Sequence, residues 1–187
     1  MKKTTKLIMT VLMAMGLLVG CGNTVSTSNE TTTEAVQVLD PNAFDATTGA
    51  VTADTEIVAG ETGTTIAIAE GTVFQDSEGN PVTQAPSAAV TVTESNTEAT
   101  TNIEFKVDGE TVIPSEPVTL SIPAPNGAQP GDEVQVEVPD GVSVAKVQQK
   151  LIFVVVGADG TINITVLPEV FQGHLVIVVV LPDASTN

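Results

Sequence analysis

Aromatic residues with a polar group are missing from this sequence, which contains no tryptophan and no tyrosine. Carbohydrate-binding sites usually present flat aromatic rings with a polar handle, and the hot spots of tight protein interfaces favour Trp, Tyr and Arg. Arginine is absent as well. The composition therefore argues against a strong lectin and favours contacts made by strand edges or by complementary charge.

Cysteine and histidine each occur once, as Cys21 and His174. A single cysteine excludes an intramolecular disulfide, so the fold must be stabilised by a hydrophobic core. A zinc site needs three or four His, Cys or carboxylate ligands, and a Ser-His-Asp triad would have to use His174 without a Gly-x-Ser-x-Gly elbow. We therefore interpret His174 as a loop or strand-edge residue.

Basic residues are scarce, since six lysines stand against 23 acids and give a formal net charge of −17. Without its first twenty residues the chain would keep three lysines and all 23 acids, a formal charge of −20. Nucleic-acid binding requires Lys and Arg to neutralise phosphates, so the composition excludes that class of partner. The lysines are Lys2, Lys3, Lys6, Lys106, Lys146 and Lys150.

The first twenty residues have the organisation of an export signal. A basic segment at residues 2–6 precedes an apolar stretch over residues 7–19, and Gly20 is the small residue that a signal peptidase requires. A bilayer-spanning helix needs about 20 apolar residues, so this stretch is too short to be a stable anchor. We expect residues 1–20 to be a cleaved signal peptide.

The residues at the end of this segment, Leu18-Val19-Gly20-Cys21, resemble the lipobox of bacterial lipoproteins. The resemblance implies that the Cys21 sulfur receives a diacylglyceryl group, with fatty chains such as palmitate, before cleavage ahead of it. Two or more such chains hold a protein stably on a membrane, whereas one chain does not. The alternative is a secreted protein with an incidental cysteine near its cleavage site.

The residue that follows the cysteine bears on location within the envelope. In lipoproteins of bacteria with two membranes, an Asp at this position usually marks retention in the inner membrane, and this chain has Gly22 instead. The resemblance therefore implies an envelope protein anchored by lipid. We expect it in the outer membrane if the host has two membranes, and otherwise on the outer face of the plasma membrane.

Residues 22–35 (GNTVSTSNETTTEA) are small and polar and show no apolar period, which predicts a disordered tether behind the lipidated Cys21. The chain changes character after this linker, and residues 36–187 have a typical single-domain length that can bury a core. The predicted organisation is a signal peptide (1–20), a lipidated linker (21–35) and one domain (36–187).

Short runs rich in Val, Ile and Thr, separated by Gly, Pro, Asn and Asp clusters, predict an all-β fold, an antiparallel β-sandwich with Greek-key-like connections. Alternation of apolar and polar residues is clearest at 134–138 and 162–166. The Asp-Gly pairs at 108–109 and 159–160 tolerate positive φ and are predicted hairpin turns. The predicted strands are 64–69, 88–93, 102–107, 118–122, 133–138, 143–147, 151–156, 161–167 and 175–181.

Two runs differ from the others because they are apolar throughout: 151–156 (LIFVVV) and 175–180 (LVIVVV). Such runs are typical of central strands covered on both faces, or partly so at one end. The phenylalanines are expected to fill the core of this Val-rich interior. They are Phe44, Phe74, Phe105, Phe153 and Phe171.

A pattern of strands and turns between about 64 and 180 carries a further resemblance. Its residues are 65–74 (TIAIAEGTVF), Asp76, 79–82 (GNPV), 117–123 (PVTLSIP) and 130–132 (PGD). The pattern is similar to bacterial envelope proteins with ZU5-like, immunoglobulin-like β-sandwich modules, which serve structure and interaction rather than chemistry. The resemblance covers about 64–180, and the chain departs from it at 171–174 (FQGH), where a His-Phe-Ser-like step is expected.

One short segment has the residue types of a calcium loop. Asp76, Glu78 and Asn80 place oxygen ligands at alternate positions around a turn. The later bidentate Glu of an EF-hand is missing and Gly79 comes too early, so a solvated turn between strands is the preferred interpretation. Calcium is the one metal that stays a candidate, and no cofactor is expected.

Paired carboxylates could serve a hydrolase, since 23 acids always include pairs that folding could bring together. The Asp-Thr-Gly string of aspartic proteases is missing, and the nearest strings are 54–56 (DTE) and 61–63 (ETG). The preferred hypothesis is a non-enzymatic envelope protein with a structural or interaction module, whose partners are the membrane, through Cys21, and an envelope or surface protein. The alternatives are a ligand- or calcium-binding envelope protein and, less favoured, a carboxylate-dependent hydrolase.

Overall fold

The structure, a computed structural model, describes residues 30–137, 151–171 and 174–182. Its regular elements are strands, with short 3-10 helices at Pro41–Ala43, Gly60–Thr62 and Pro168–Val170. The strands are β1 (Thr31–Val38), β2 (Phe44–Asp45), β3 (Ala50–Val51), β4 (Thr55–Ala59), β5 (Thr64–Ile68), β6 (Phe74–Gln75), β7 (Ser87–Glu94) and β8 (Glu98–Val107). They continue as β9 (Glu110–Thr111), β10 (Ile113–Pro114), β11 (Val118–Pro123), β12 (Glu133–Glu137), β13 (Leu151–Val155), β14 (Thr161–Val166) and β15 (Leu175–Val180).

Among the helices of the described ranges, none has the length and apolar character needed to cross a membrane.

The larger sheet has seven antiparallel strands in the order β1-β7-β8-β15-β12-β13, with β9 paired to β8. Its central strands alternate between a buried and a partly exposed face, because successive side chains of a strand point to opposite sides. Ala88, Val90 and Val92 of β7 therefore face the interior, and so do Ile177 and Val179 of β15. This face is one wall of the core.

The second sheet has four antiparallel strands in the order β14-β11-β5-β4. Its register places Ile57, Ile66 and Leu120 side by side, and all three side chains are buried in the same hydrophobic cluster as the inner face of the larger sheet. Strands that are distant in sequence lie next to each other in both sheets, which is the connectivity of Greek-key sandwiches. The prediction of an all-β antiparallel sandwich is confirmed.

Two further pairs of short strands, β2 with β3 and β6 with β10, contribute buried residues to the same core. Phe74 of β6 is fully buried and lies against Phe105 of β8, which in turn contacts Phe171. Phe44 of β2 is buried as well. Four of the five phenylalanines thus fill the core as predicted, and Phe153 does not.

The predicted strands within the described residues are observed with ends shifted by at most one residue, except that β8 begins four residues before the predicted start at 102. The strand predicted at 143–147 lies outside the described residues. The turn at 108–109 is also observed, with φ of 52° at Asp108 and 88° at Gly109, and it joins β8 to β9. The prediction of a hairpin is wrong for 159–160: the turn has φ of 79° at Gly160, but it connects β13 of the larger sheet to β14 of the smaller one, and these two strands pair with β12 and β11 instead of each other. Apolar alternation and turn chemistry therefore located eight of the fifteen described strands, whereas β1, β4 and the five two-residue strands were not predicted.

The predicted tether extends too far at its end, because β1 begins at Thr31 rather than after residue 35. All eight residues of β1 pair with β7 in antiparallel register, from Thr31 opposite Glu94 to Val38 opposite Ser87. The side chains of β1 are mostly exposed, so the strand is specified by backbone pairing and not by an apolar face. A strand of this kind has no hydrophobic period to be found in the sequence.

The two continuous apolar runs have different positions in the larger sheet. The prediction of a central strand is confirmed for β15, which lies between β8 and β12. It is wrong for β13, which among the described residues pairs only with β12 and ends the sheet. Phe153 and Val155 of β13 are consequently exposed on the outer face, the face of the larger sheet that points away from the core.

Candidate functional site

The three calcium candidates meet in one exposed turn after β6. Oδ1 of Asp76 accepts hydrogen bonds from the backbone N–H groups of Glu78 and Asn80, both at 2.9 Å. The Asn80 amide Nδ2 donates to Oδ2 of Asp76 at 3.2 Å and to Oε2 of Glu78 at 3.3 Å. Both oxygens of Asp76 are therefore occupied by donors of the turn itself.

These donors stabilise the ionised form of Asp76. The backbone N–H of Asn80, followed by its side-chain amide, holds the pKa of the Asp76 carboxyl below its usual value. No group of three or more His, Cys, Asp or Glu side chains in the described part of the chain is arranged to hold a metal ion. The geometry is that of a hydrogen-bonded turn without a preformed ligand set, so calcium binding stays the less favoured alternative for this segment.

The remaining candidate residues from the sequence are His174 and Cys21. His174 is exposed and immediately precedes β15, so it is a residue at the end of a strand, as interpreted. Cys21 and the rest of the lipobox lie outside the described residues. Nothing brings His174 into a group of titratable side chains within the described ranges.

A cleft of about 620 Å³ lies on the smaller sheet, at the ends of β4, β5 and β11. Asp54 and Glu56 contribute carboxylates to its lining, beside Ala67, Pro117 and Thr119. Asp54 is not free, since its Oδ1 accepts a hydrogen bond of 2.8 Å from the backbone N–H of Glu70. The cleft therefore offers a small acidic surface, which the string at 54–56 did not reveal because its neighbours come from other strands.

The outer face of the larger sheet carries large apolar side chains at both of its ends. Val36 and Val38 of β1 are 70% and 53% exposed, and Phe153 and Val155 of β13 are 57% and 61% exposed. Alternation along the strands and the pairing register put all four on the outer face. The sequence did not reveal that side chains of this size would be exposed at both edges of one sheet, because exposure there depends on sheet order.

The described part of the chain is strongly acidic. Every Asp and Glu of the chain except Asp140 and Asp183 lies in the described residues. Lys106 is the one lysine in this part of the chain, and its ammonium already contacts the carboxylate of Glu104. A partner that contacts this domain therefore meets an excess of negative charge.

The backbone of β13 has one side bonded to β12 and one side directed outward. Just beyond the strand, the N–H of Val156 donates to the carbonyl of Asp132 at 2.9 Å. Because bonded and non-bonded pairs alternate along an antiparallel ladder, the backbone groups of Leu151, Phe153 and Val155 point away from β12. We call this row of groups the β13 edge.

Comparison with protein-family models, with curated proteins and with solved structures finds no match to this chain.

Proposed function

We propose that this chain is a lipid-anchored protein of the bacterial envelope whose β-sandwich serves as a non-catalytic structural or interaction module. The observation that carries the proposal is the lipobox-like string Leu18-Val19-Gly20-Cys21 after a basic and apolar leader. Modification of Cys21 would give the domain a membrane attachment without any spanning segment.

The start of the fold is compatible with such an anchor. β1 begins at Thr31, so residues 22–30 would connect the modified Cys21 to the sandwich. Nine extended residues span at most about 32 Å, which would hold the domain close to the lipid surface. Repulsion between this acidic domain and anionic headgroups would keep it standing off that surface.

Several features favour interaction over catalysis. The apolar residues Phe153 and Val155 lie at a sheet edge rather than in a closed pocket. The acidic cleft on the smaller sheet offers Asp54 and Glu56, and the Asp54 carboxylate is engaged with the backbone of Glu70. Exposed edges with apolar side chains are typical of surfaces that add a strand from another chain.

The anchor can be tested by mass spectrometry and detergent partition of the full chain made in a bacterial host that matures lipoproteins. We expect a new N-terminus at Cys21 carrying a diacylglyceryl group, and partition into the detergent phase. The variant Cys21→Ala should keep its leader and lose the lipid.

A matched control keeps the domain and changes only the leader. Replacing residues 1–20 with a signal for ordinary secretion, in the Cys21→Ala background, should release the protein into the aqueous phase. A native protein that retains Met1, or that has an unmodified thiol at Cys21, would contradict the anchor.

A further inference from the structure

The β13 edge has the backbone geometry for accepting another strand. The N–H and C=O groups of Leu151, Phe153 and Val155 point outward, and in the described residues nothing pairs with them. A strand that adds to this edge would hydrogen-bond these groups and extend the seven-stranded sheet. Since every strand pair of both sheets is antiparallel, we expect the added strand to be antiparallel too.

The side chains beside the edge select for a particular residue pattern. Phe153, which is 57% exposed, would contact the residue opposite it on the outer face of an added strand. Because burial of two apolar side chains stabilises the complex, this position favours an apolar residue. On the same face, Glu133 lies opposite Val155 and Glu137 lies opposite Leu151. These carboxylates sit one strand further in, about 10 Å from an added strand, within reach of a long basic side chain.

Charge complementarity decides the class of partner. Glu133 and Glu137 are both exposed. The one lysine of the described residues, Lys106, lies on β8 and is already paired with Glu104. A second copy of this chain would bring its own acidic surface to the edge and be repelled. A cationic segment would be attracted, and its approach would be accelerated by the field of the whole domain.

We infer that the β13 edge binds an extended cationic segment of another envelope protein, with an apolar residue opposite Phe153 and a Lys or Arg on either side of it on the same face. The inference rests on the proposed function and names the partner class of that interaction module. The opposite edge of the sheet is less open, because β4 and the Gly60–Thr62 helix lie next to β1.

The probe is a labelled peptide, Thr-Lys-Thr-Val-Thr-Lys-Thr, with blocked ends, which places Lys, Val and Lys on one face of a strand. Binding to the full chain in neutral detergent is measured by fluorescence anisotropy. A peptide with Glu in place of Lys tests charge. A peptide N-methylated at the two lysines and the valine keeps the charge and removes the amide donors that an antiparallel strand turns toward β13.

Two variants at one position separate backbone pairing from surface chemistry. Val155→Pro removes an outward N–H without touching the ladder to β12, a position where an edge strand tolerates proline. Val155→Thr keeps that N–H and is the matched control. We expect Val155→Pro to weaken peptide binding about tenfold and Val155→Thr to change it by less than about threefold.

The inference is supported if the Lys peptide binds the unmodified chain and its affinity falls as the salt concentration rises. Neither the Glu peptide nor the N-methylated peptide should displace it. The inference is overturned if the Lys peptide fails to bind, or if Val155→Pro or N-methylation leaves its affinity unchanged. Equal binding of the Glu peptide overturns it as well. A dimer that Val155→Pro dissociates, with no peptide bound, would show a second copy on the edge and also overturn it.

Failure of this inference is distinguishable from failure of the proposed function. A protein with a lipidated Cys21 that ignores the peptide keeps the anchor and loses only the docking edge. A protein that binds the peptide but has an unmodified Cys21 keeps the docking edge and loses the anchor.

Discussion

The ring of Phe105 packs edge-on against the ring of Phe74, with centroids 5.2 Å apart and ring planes inclined by 63°. Such an arrangement brings the positive edge of one ring to the negative face of the other. Phe105 belongs to β8 of the larger sheet and Phe74 to the short strand β6. The ring of Phe171, from a third part of the chain, has its centroid 5.6 Å from that of Phe105. Phe105 therefore joins three elements that are distant in sequence.

Replacing Phe105 with alanine should be the most damaging of the phenylalanine substitutions. A fully buried Phe→Ala change in a packed core costs about 3–5 kcal/mol, because it combines lost transfer energy with a cavity. Phe153→Ala is the matched control, since Phe153 is exposed and its loss should cost no more than about 0.5 kcal/mol. Urea unfolding of the two variants measures the difference, and equal losses would show that the core is assigned wrongly.

The contrast between these two phenylalanines shows how far the sequence could predict the fold. Alternation and turn residues located the longer strands other than β1 and β4, because these patterns are local properties that a sequence displays directly. The neighbours of a strand depend on sheet order, which is set by contacts between distant segments. The apolar runs of β13 and β15 are almost identical in composition, yet one ends the sheet and the other lies inside it.

For the candidate functional residues, too, local patterns could be predicted from the sequence and contacts between distant strands could not. Cys21 is a candidate because of the lipobox-like string Leu18-Val19-Gly20-Cys21, a local pattern that the sequence displays directly. The β13 edge could not be predicted, because its exposure depends on where β12 and β15 pair. The pairing of β1 with β7 was missed for a related reason, since exposed β1 side chains such as Val36 and Gln37 show no apolar alternation.

A hydroxyl in the core offers a second prediction. Thr101 is fully buried between Val92 and Ile177 on the inner face of the larger sheet, and its Oγ1 has no hydrogen-bond partner in the described structure. A buried hydroxyl without a partner retains its desolvation cost, so the nearly isosteric change Thr101→Val should stabilise the fold by about 1 kcal/mol.

The neighbouring threonine supplies the control for that substitution. Thr100 points to the outer face, and its Oγ1 donates to Oε1 of Glu98 at 3.4 Å. Thr100→Val should therefore change the free energy of unfolding by no more than about 0.5 kcal/mol. Calorimetric or urea unfolding compares the two, and a loss of stability in Thr101→Val would mean that its hydroxyl has a partner.

Glu94, at the end of β7, predicts a stability change that depends on pH. Partial burial raises the pKa of its carboxyl, because the charged form is poorly solvated there. The pKa of Glu94 in the folded state therefore lies above the unfolded value of about 4.3. Its contribution to stability is fully present below the unfolded pKa and is lost as pH rises through the folded pKa. Glu94→Gln should be more stable than the unmodified chain at neutral pH.

The measurement is thermal unfolding of both proteins from neutral to acidic pH. The advantage of Glu94→Gln should shrink as pH falls and vanish where Glu94 is protonated in both states. Glu110→Gln, at an exposed glutamate of β9, controls for the loss of one negative charge. An advantage of Glu94→Gln that is the same at every pH would contradict the assigned cause.

Calcium should leave the turn after β6 unchanged. Three hydrogen bonds already occupy the two oxygens of Asp76, and an incoming ion would have to replace them with ligands that the surrounding turn lacks in the described structure. We expect isothermal calorimetry of the full chain to show no heat of calcium binding and thermal unfolding to be insensitive to the ion. Heat that disappears in Asp76→Ala would instead establish the calcium site.

The same carboxylate gives a pH prediction of opposite sign to that of Glu94. Hydrogen bonds, led by that from the Asn80 backbone N–H, lower the pKa of Asp76, so its stabilising contribution is present above the unfolded pKa of about 3.9. It is lost as pH falls through the folded pKa. Asp76→Asn should be less stable than the unmodified chain at neutral pH, and the gap should close in acid. Ser77→Ala is the control, because it alters the same turn and leaves the Asp76 carboxylate in place. Its effect on stability should not depend on pH in this way, and an identical pH profile would exclude Asp76 as the cause.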